Sequence, residues 1–435
     1  MILEKYPSYK DSGVEWLGEI PHDWEIIRIK DYSYLKARIG WQGLRSDEFQ
    51  DKGEYYCITG TDFEKGKINW KNAYFVSKER YDQDKYIQLK VGDLLITKDG
   101  TIGKLAIVEE IIKPATLNTG VFVSRPLKNK YLTKYLYWVL SSDVFINFIE
   151  PKKYGSTIQH LYQNVFLFFS FPAPTIRIQE KIVVFLDIKT SQIDRKIKLL
   201  QDKKISYEEF KKSLINETVC RGINKNVELK DSGIEWIRKI PKTWSVDRMK
   251  NRFILKKKKV GEFSKNYKLL SLTQNGVVYR DVEGGFGKFP AEFNSYQIVE
   301  KDDLIFCLFD MDVTPRTIGY SNYFGMITGA YTILKSKKGC NKYYYYLYLM
   351  ADISKKLSFC YTGLRNTIRK EKFFTLEIPV PPVSEQIQIT KYLDEKTSKI
   401  DEIISKIKDQ ITTLTEFRKT LINDVVTGKV RVQND

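Results

Sequence analysis

With 435 residues and 42% hydrophobic content, the chain has material for two domains or more, each with its own core. A net charge of +18 points to an acidic partner, nucleic acid first and an anionic membrane surface second. Two histidines, His22 and His160, and five cysteines without CxxC spacing leave little for a zinc site, a histidine triad or a disulfide framework. That usage suits a reducing compartment, so a cytoplasmic location is expected. The N-terminus lacks the basic-then-apolar pattern of a signal peptide. No apolar run approaches a membrane span, since VFLFFSF is short and ends at prolines.

The chain opens on KDSGVEWLGEIPHDWEIIRIKD at residues 10–31, and almost the same text returns as KDSGIEWIRKIPKTWSVDRMKN at 230–251. From Lys10 to Lys230 the step is 220 residues. After the first copy, YYCITG (55–60), GKINW (66–70), DLLITKDGTIGKLAIV (93–108) and TGVFVS (119–124) read as strands and turns, with Asp99-Gly100 marking a hairpin. KYLTKYLYWVLSSDVF (130–145) has helical spacing, with Leu132, Tyr135, Leu136, Val139 and Leu140 on one face. The second unit repeats the plan in YKLLSLT (267–273), DDLIFCLF (302–309), AYTILK (330–335) and the helix YYYYLYLMADI (343–353). The tyrosines of that helix suggest a stacking platform, but their spacing is that of a core face, which is the expectation taken.

Each unit ends in proline punctuation, FPAPT (171–175) and IPVPPV (378–383), followed by a long helical pattern. LDIKTSQID, from Leu186 to Asp194, returns as LDEKTSKID, from Leu393 to Asp401, 207 residues on. Steps of three and four carry through Leu186, Ile193, Ile197, Leu200, Tyr207 and Leu214. The second copy carries Leu393, Ile400, Ile404, Ile407, Ile411, Leu414 and Leu421, with Thr, Lys and Arg at some intervening seam positions. This is a coiled-coil signal. Each helix, at roughly 40 residues, is about 60 Å long. Matching stripes favour an antiparallel return, which would set two similar domains about a pseudo-two-fold axis and bring the ends of the chain together. The expected fold is therefore α+β and nearly circular. Its parts are a first domain at 1–174, a helical spacer at 175–222, a second domain at 223–381 and a second spacer at 382–435.

Catalytic motifs are missing. GTIGK (100–104) lacks the spacing and hydroxyl of a phosphate loop, and GGFG (284–287) is not a dinucleotide fingerprint. The Asn/Asp-Pro-Pro-aromatic signature of amino-methyltransferases is absent around Pro381-Pro382. Asp93 and Asp99 read as strand-start and turn residues rather than nuclease ligands. The chain is expected not to be an enzyme and to hold no cofactor or metal.

The duplicated SGVEWLGEIPHDWEIIRIKD opening, the helix start IPVPPVSEQ (378–386), the paired long helices and the divergent inserts together resemble the specificity subunit of type I DNA restriction–modification systems. The resemblance covers essentially the whole chain. One departure is Thr175, which stands where the second copy has Pro382. The resemblance implies two target recognition domains, each reading half of a bipartite, asymmetric site in double-stranded DNA. It also implies helices that set the gap and dock two methyltransferase subunits, which methylate adenine with S-adenosylmethionine as part of antiphage defence. It allows two motor–nuclease subunits as well, with ATP and Mg. In this family the specificity subunit has no catalytic residues.

The base-reading residues are less legible. In the first domain, ARIGWQGLR (37–45) offers Arg38, Trp41, Gln42 and Arg45, the types that pair with guanine and adenine edges. A solvated loop with Trp41 on the core is the other reading. The turn KDGTIGK offers Lys98, Thr101 and Lys104, and YGSTIQH (154–160) offers Ser156, Thr157, Gln159 and His160. In the second domain, Lys257 and Lys258 belong to a basic run suited to phosphates, and TPRT supplies Arg316 and Thr317. GLRNTIRK (363–370) supplies Arg365, Asn366, Thr367 and Arg369 where the first domain has YGSTIQH. Two rivals remain. A self-contained DNA-modifying enzyme lacks its motifs, and a coiled-coil scaffold without DNA contact leaves the +18 charge unexplained.

Overall fold

The structure is a computed structural model and describes residues 4–152, 160–281 and 292–432. It divides into two compact units, Met1–Leu200 with Asp409–Asp435, and Gln201–Lys408. Both are α+β.

Unit one is built on a four-stranded antiparallel sheet of β1 (Ser33–Ala37), β2 (Leu94–Thr97), β3 (Leu105–Ile107) and β4 (Val121–Pro126), in the order β3-β2-β4-β1. β2 and β3 form the hairpin expected around Asp99-Gly100. A second, three-stranded sheet pairs Tyr55–Ile58 with Ala115–Leu117 and Tyr74–Val76. Helix α1 (Thr133–Leu140) follows β4. Its face of Tyr135, Leu136, Val139 and Leu140 is buried, as the spacing predicts. The first long helix, α2 (Ile176–Arg221), then begins two residues past Pro174.

Unit two repeats the frame with β5 (Phe253–Lys256), β6 (Leu304–Phe306), β7 (Ile318–Tyr320) and β8 (Thr332–Ser336), in the order β7-β6-β8-β5. This is the same topology, strand for strand. Around it the inserts differ: unit two has a hairpin of Leu270–Thr273 with Gly276–Tyr279 and a pair of Gln297–Val299 with Gly325–Ile327. Helix α3 (Asn341–Ile353) buries Tyr343, Tyr344, Tyr346 and Tyr348, so these rings are core and not a stacking surface. The second long helix is α4 (Val383–Val426).

Each half of the repeated text has a structural job. In KDSG the Asp11 side chain accepts from Gly13 N at 2.9 Å, and Asp231 accepts from Gly233 N at 2.9 Å. Both glycines hold positive φ, 65° and 69°, which closes the tight turn of the opening hairpin. The strand after each Pro-X-X-Trp pairs with the proline-punctuated strand, Glu25–Arg28 with Ser170–Ala173 and Ser245–Arg248 with Glu377–Val380.

The helix starts carry duplicated clamps. Gln179 and Gln386 are buried and 207 residues apart. Gln179 Oε1 accepts from Leu132 N, the cap of α1, at 2.9 Å, while its amide donates to Lys130 O and Pro174 O. Gln386 does the same with Cys340 N, the cap of α3, at 2.9 Å, and with Pro381 O. Asp187 accepts from the Trp138 indole and pairs with Lys134, and Asp394 accepts from the Tyr346 hydroxyl and pairs with Lys342. Asp194 meets Arg418 at 2.8 Å within unit one, and Asp401 meets Lys211 at 2.6 Å within unit two. In each unit, therefore, a segment of one long helix lies against a segment of the other. All thirteen apolar seam residues named from the sequence are buried or half-buried.

Candidate DNA-recognition surface

The residues that follow the two variable stretches are anchored at one shared place on the frame. Leu161 N donates to Lys98 O at 2.8 Å, and Ile368 N donates to Leu308 O at 2.9 Å. Lys98 and Leu308 are 210 residues apart, Leu161 and Ile368 are 207 apart, and those are the steps of the frame around them. Leu161 and Ile368 thus dock at equivalent places on the two frames.

In unit one the hairpin tip is rigid. Thr97 Oγ1 donates to Thr101 O at 2.5 Å and accepts from Lys104 N at 2.9 Å. Thr101 and Lys104 are exposed. Lys98 is half-buried, paired with Asp99 at 3.4 Å and lying over the Phe122 ring. His160 bridges to Asp99 through the backbone and through Nδ1, 2.9 Å from Oδ1. The structure thus brings Lys98, Thr101, Lys104 and His160 together. The Gly40–Gln42 turn adjoins them: a Cβ on Gly43 would lie 3.3 Å from Thr119, and Gly120 faces Asp99. Gln42 is half-buried, Arg45 is exposed, and the backbone of Trp41 forms the middle of the turn. Ser156, Thr157 and Gln159 lie outside the described residues.

Arg38 is corrected by its burial. It is 2% exposed, and its guanidinium donates to Leu117 O at 2.8 Å, Thr116 Oγ1 at 3.2 Å, Gln83 and Arg80 O. Burial lowers its pKa, and each of its three guanidinium nitrogens bonds to protein. It ties the second sheet to β1 and presents nothing to a groove. Thr317 is the second correction: it is 3% exposed, with its N–H donated to Asp352.

In unit two the turn 362–367 is closed by a Thr362–Thr367 bridge and docked by Asp310 N donating to Arg365 O at 2.7 Å. Arg365 grips Asp310 with two nitrogens and lies over the Phe309 ring at 5.0 Å. That grip holds the Asp310 carboxyl below the usual carboxylate range. Asn366, at φ 39°, donates its amide to Asp312 at 2.6 Å. Thr367 is half-buried and Arg369 is exposed. Arg316 is half-buried and donates to the Tyr345 hydroxyl. Asp310 and Asp312, absent from the sequence-based candidates, are what fix the turn; the alternating acids of FDMD were their signal. Lys257 and Lys258 are exposed, and the run joins the turn through a short relay. Lys259 bridges Gln297, Gln297 donates to Tyr331 O, Tyr331 stacks on Phe309, and Phe309 carries Arg365. Among the described residues no cluster of His, Cys, Asp and Glu could hold a metal ion, and no helix is long and apolar enough to cross a membrane.

The model of the type I restriction modification DNA specificity domain matches residues 21–207 and 248–413, and the chain belongs to that family. It is similar to the type I restriction enzyme MjaVIII specificity subunit of Methanocaldococcus jannaschii, 24% identical over 95% of each chain. The putative MjaX specificity subunit of the same organism is 24% identical over 100% of this chain and 99% of that one. The fold matches a chain from a study of complex assembly and conformational transition of the type I R-M system. That match has a TM-score of 0.68 at 14% identity and covers 94% of this chain and 99% of that one. It also matches the HsdS subunit from Thermoanaerobacter tengcongensis, with a TM-score of 0.54 at 15% identity over 94% and 98%. The chain is a DNA sequence-recognition subunit of a restriction–modification system.

Proposed function

We propose that the chain reads a bipartite, asymmetric sequence in double-stranded DNA, one half with each variable domain, and carries no catalysis of its own. The observation behind this reading is the pair of equivalent anchors, Leu161 to Lys98 and Ile368 to Leu308, each following an unlike polar sequence. A shared frame fixes where each reader sits, and unlike loops let the two read different bases. Exposed lysines supply sequence-independent phosphate attraction, and side chains on the rigid turns supply the base reading.

The long helices act as an antiparallel coiled-coil spacer, placing the domains about a pseudo-two-fold axis in a nearly circular chain. Support comes from the duplicated Asp194–Arg418 and Asp401–Lys211 pairs, and from Arg431 bridging back to Glu4 within unit one. The same helices dock two methyltransferase subunits in the cytoplasm. Those partners bind S-adenosylmethionine and extrude the target adenine, and restriction subunits that join them bring ATP and Mg.

The test is domain exchange. Replacing residues 240–380 with another recognition domain, in a host carrying the full system, should alter one half of the adenine-methylated motif and leave the other. Change in both halves, or in neither, refutes the modular reading.

A further inference from the structure

The two most exposed large hydrophobic residues among those described are Leu364, at 106%, and Val313, at 74%. They are far apart in sequence yet belong to segments that touch: Asn366 donates to Asp312, and Arg365 grips Asp310. Single apolar residues are ordinary on a surface. The two most exposed of the described apolar residues, lying on two segments that are tied together, are not, least of all in a stretch that also carries Arg365 and Arg369. The turn is also held: the Thr362–Thr367 bridge, the Asp310 N to Arg365 O bond and the Ile368 N to Leu308 O bond fix its backbone. Leu364 is therefore presented outward by a rigid mount, with its own chain packed against none of it.

In a B-form major groove the apolar group offered to a protein is the C5-methyl of thymine. We propose that Leu364, with Val313 on the segment that its turn is tied to, is a specificity-determining contact of the second domain with a thymine methyl. Arg365 and Asn366, which hold the turn to Asp310 and Asp312, then act as positioning residues. This inference rests on the DNA-reading function proposed above and says which chemistry one turn reads.

The experiment uses the full chain in complex with its methyltransferase partners, on duplexes carrying the motif found by adenine-methylation sequencing. Each thymine is replaced in turn by deoxyuridine, which removes only the methyl group. Wild-type binding should weaken about fourfold at one or two positions of the half-site that follows the second domain on exchange. Leu364→Ala should bind the unmodified duplex more weakly by a similar factor and become indifferent to deoxyuridine there, with Val313→Ala showing a smaller effect of the same kind. Thermal melting of Leu364→Ala should match wild type, because the side chain packs on nothing. Undiminished deoxyuridine sensitivity in Leu364→Ala overturns the proposal. So does a second-domain half-site without thymine on either strand, and so does a loss in Leu364→Ala that is equal on motif and scrambled DNA. If the wild-type complex itself fails to distinguish motif from scrambled DNA, the DNA-reading function falls, which is a separate failure.

Discussion

Truncating Gln386 to alanine tests whether the repeated helix start is a clamp. The side chain is 1% exposed and satisfies two buried backbone groups, Cys340 N and Pro381 O, each at 2.9 Å. Alanine leaves both without a partner, and a stranded buried group costs about 1–3 kcal/mol, so the loss should be about 2–6 kcal/mol. That is a large fraction of the ~5–15 kcal/mol that holds a domain together. Gly339 lies against the same side chain, where a Cβ would come 2.7 Å from Gln386 Oε1. Urea unfolding followed by tryptophan fluorescence is the assay, because Trp236 and Trp244 share the core that α3 helps to build. The transition of unit two should move to lower urea, and methylation should slow at an unchanged motif. A Gln386→Ala loss under about 0.5 kcal/mol, within the range of an ordinary surface change, would refute the clamp.

Two further outcomes concern DNA. Lys257→Ala with Lys258→Ala should weaken binding to all sequences alike and flatten the log–log salt slope by about 1.8, at about 0.9 per phosphate contact; binding titrations from low to high salt measure it, and an unchanged slope removes these residues from the interface. Inserting one heptad at matched positions of both long helices should lengthen the gap between half-sites by about 10 Å, or roughly three base pairs; methylome sequencing that finds the old gap sinks the ruler.

The frame was legible because it is written twice. The β2–β3 hairpin, the buried tyrosines of α3 and the seam residues all follow from periodicity or from turn chemistry that acts locally. Arg38 and Thr317 were not legible, since arginine and threonine in a polar-looking stretch read as solvent-facing. What buries them, the carbonyl of Leu117 and the carboxylate of Asp352, lies 79 and 35 residues away. The partners of Arg365 and Asn366, Asp310 and Asp312, likewise lie 55 and 54 residues away. Leu364 escaped notice because an apolar residue in a short run predicts burial, and only the three-dimensional turn shows it pointing away from everything.

The buried aspartate that starts the central strand shows how far the two copies can drift while keeping one frame. Asp93 and Asp303 are 2% and 0% exposed and 210 residues apart, and each accepts from the backbone N–H three residues before it. Their counterions come from different strands. Arg125, on β4, forks Asp93 at 2.6 and 2.8 Å, whereas Lys256, on β5, meets Asp303 at 2.7 Å and Glu300 at 2.9 Å. Burial pushes the Asp303 carboxyl above the usual range, and Lys256 draws it back only in part. The residue matching Lys256 in unit one is Lys36, 220 positions earlier, which is exposed over the Tyr86 ring. Lys256→Met should therefore strand a buried carboxylate and cost about 3–5 kcal/mol, while Lys36→Met should cost under about 0.5 kcal/mol, both read by urea unfolding. Equal losses at the two lysines would mean that strand position, and not the acid it answers, sets the requirement. Unequal losses would establish that the duplicated frame is defined by its buried acid, with the cation free to move to whichever neighbouring strand can reach it.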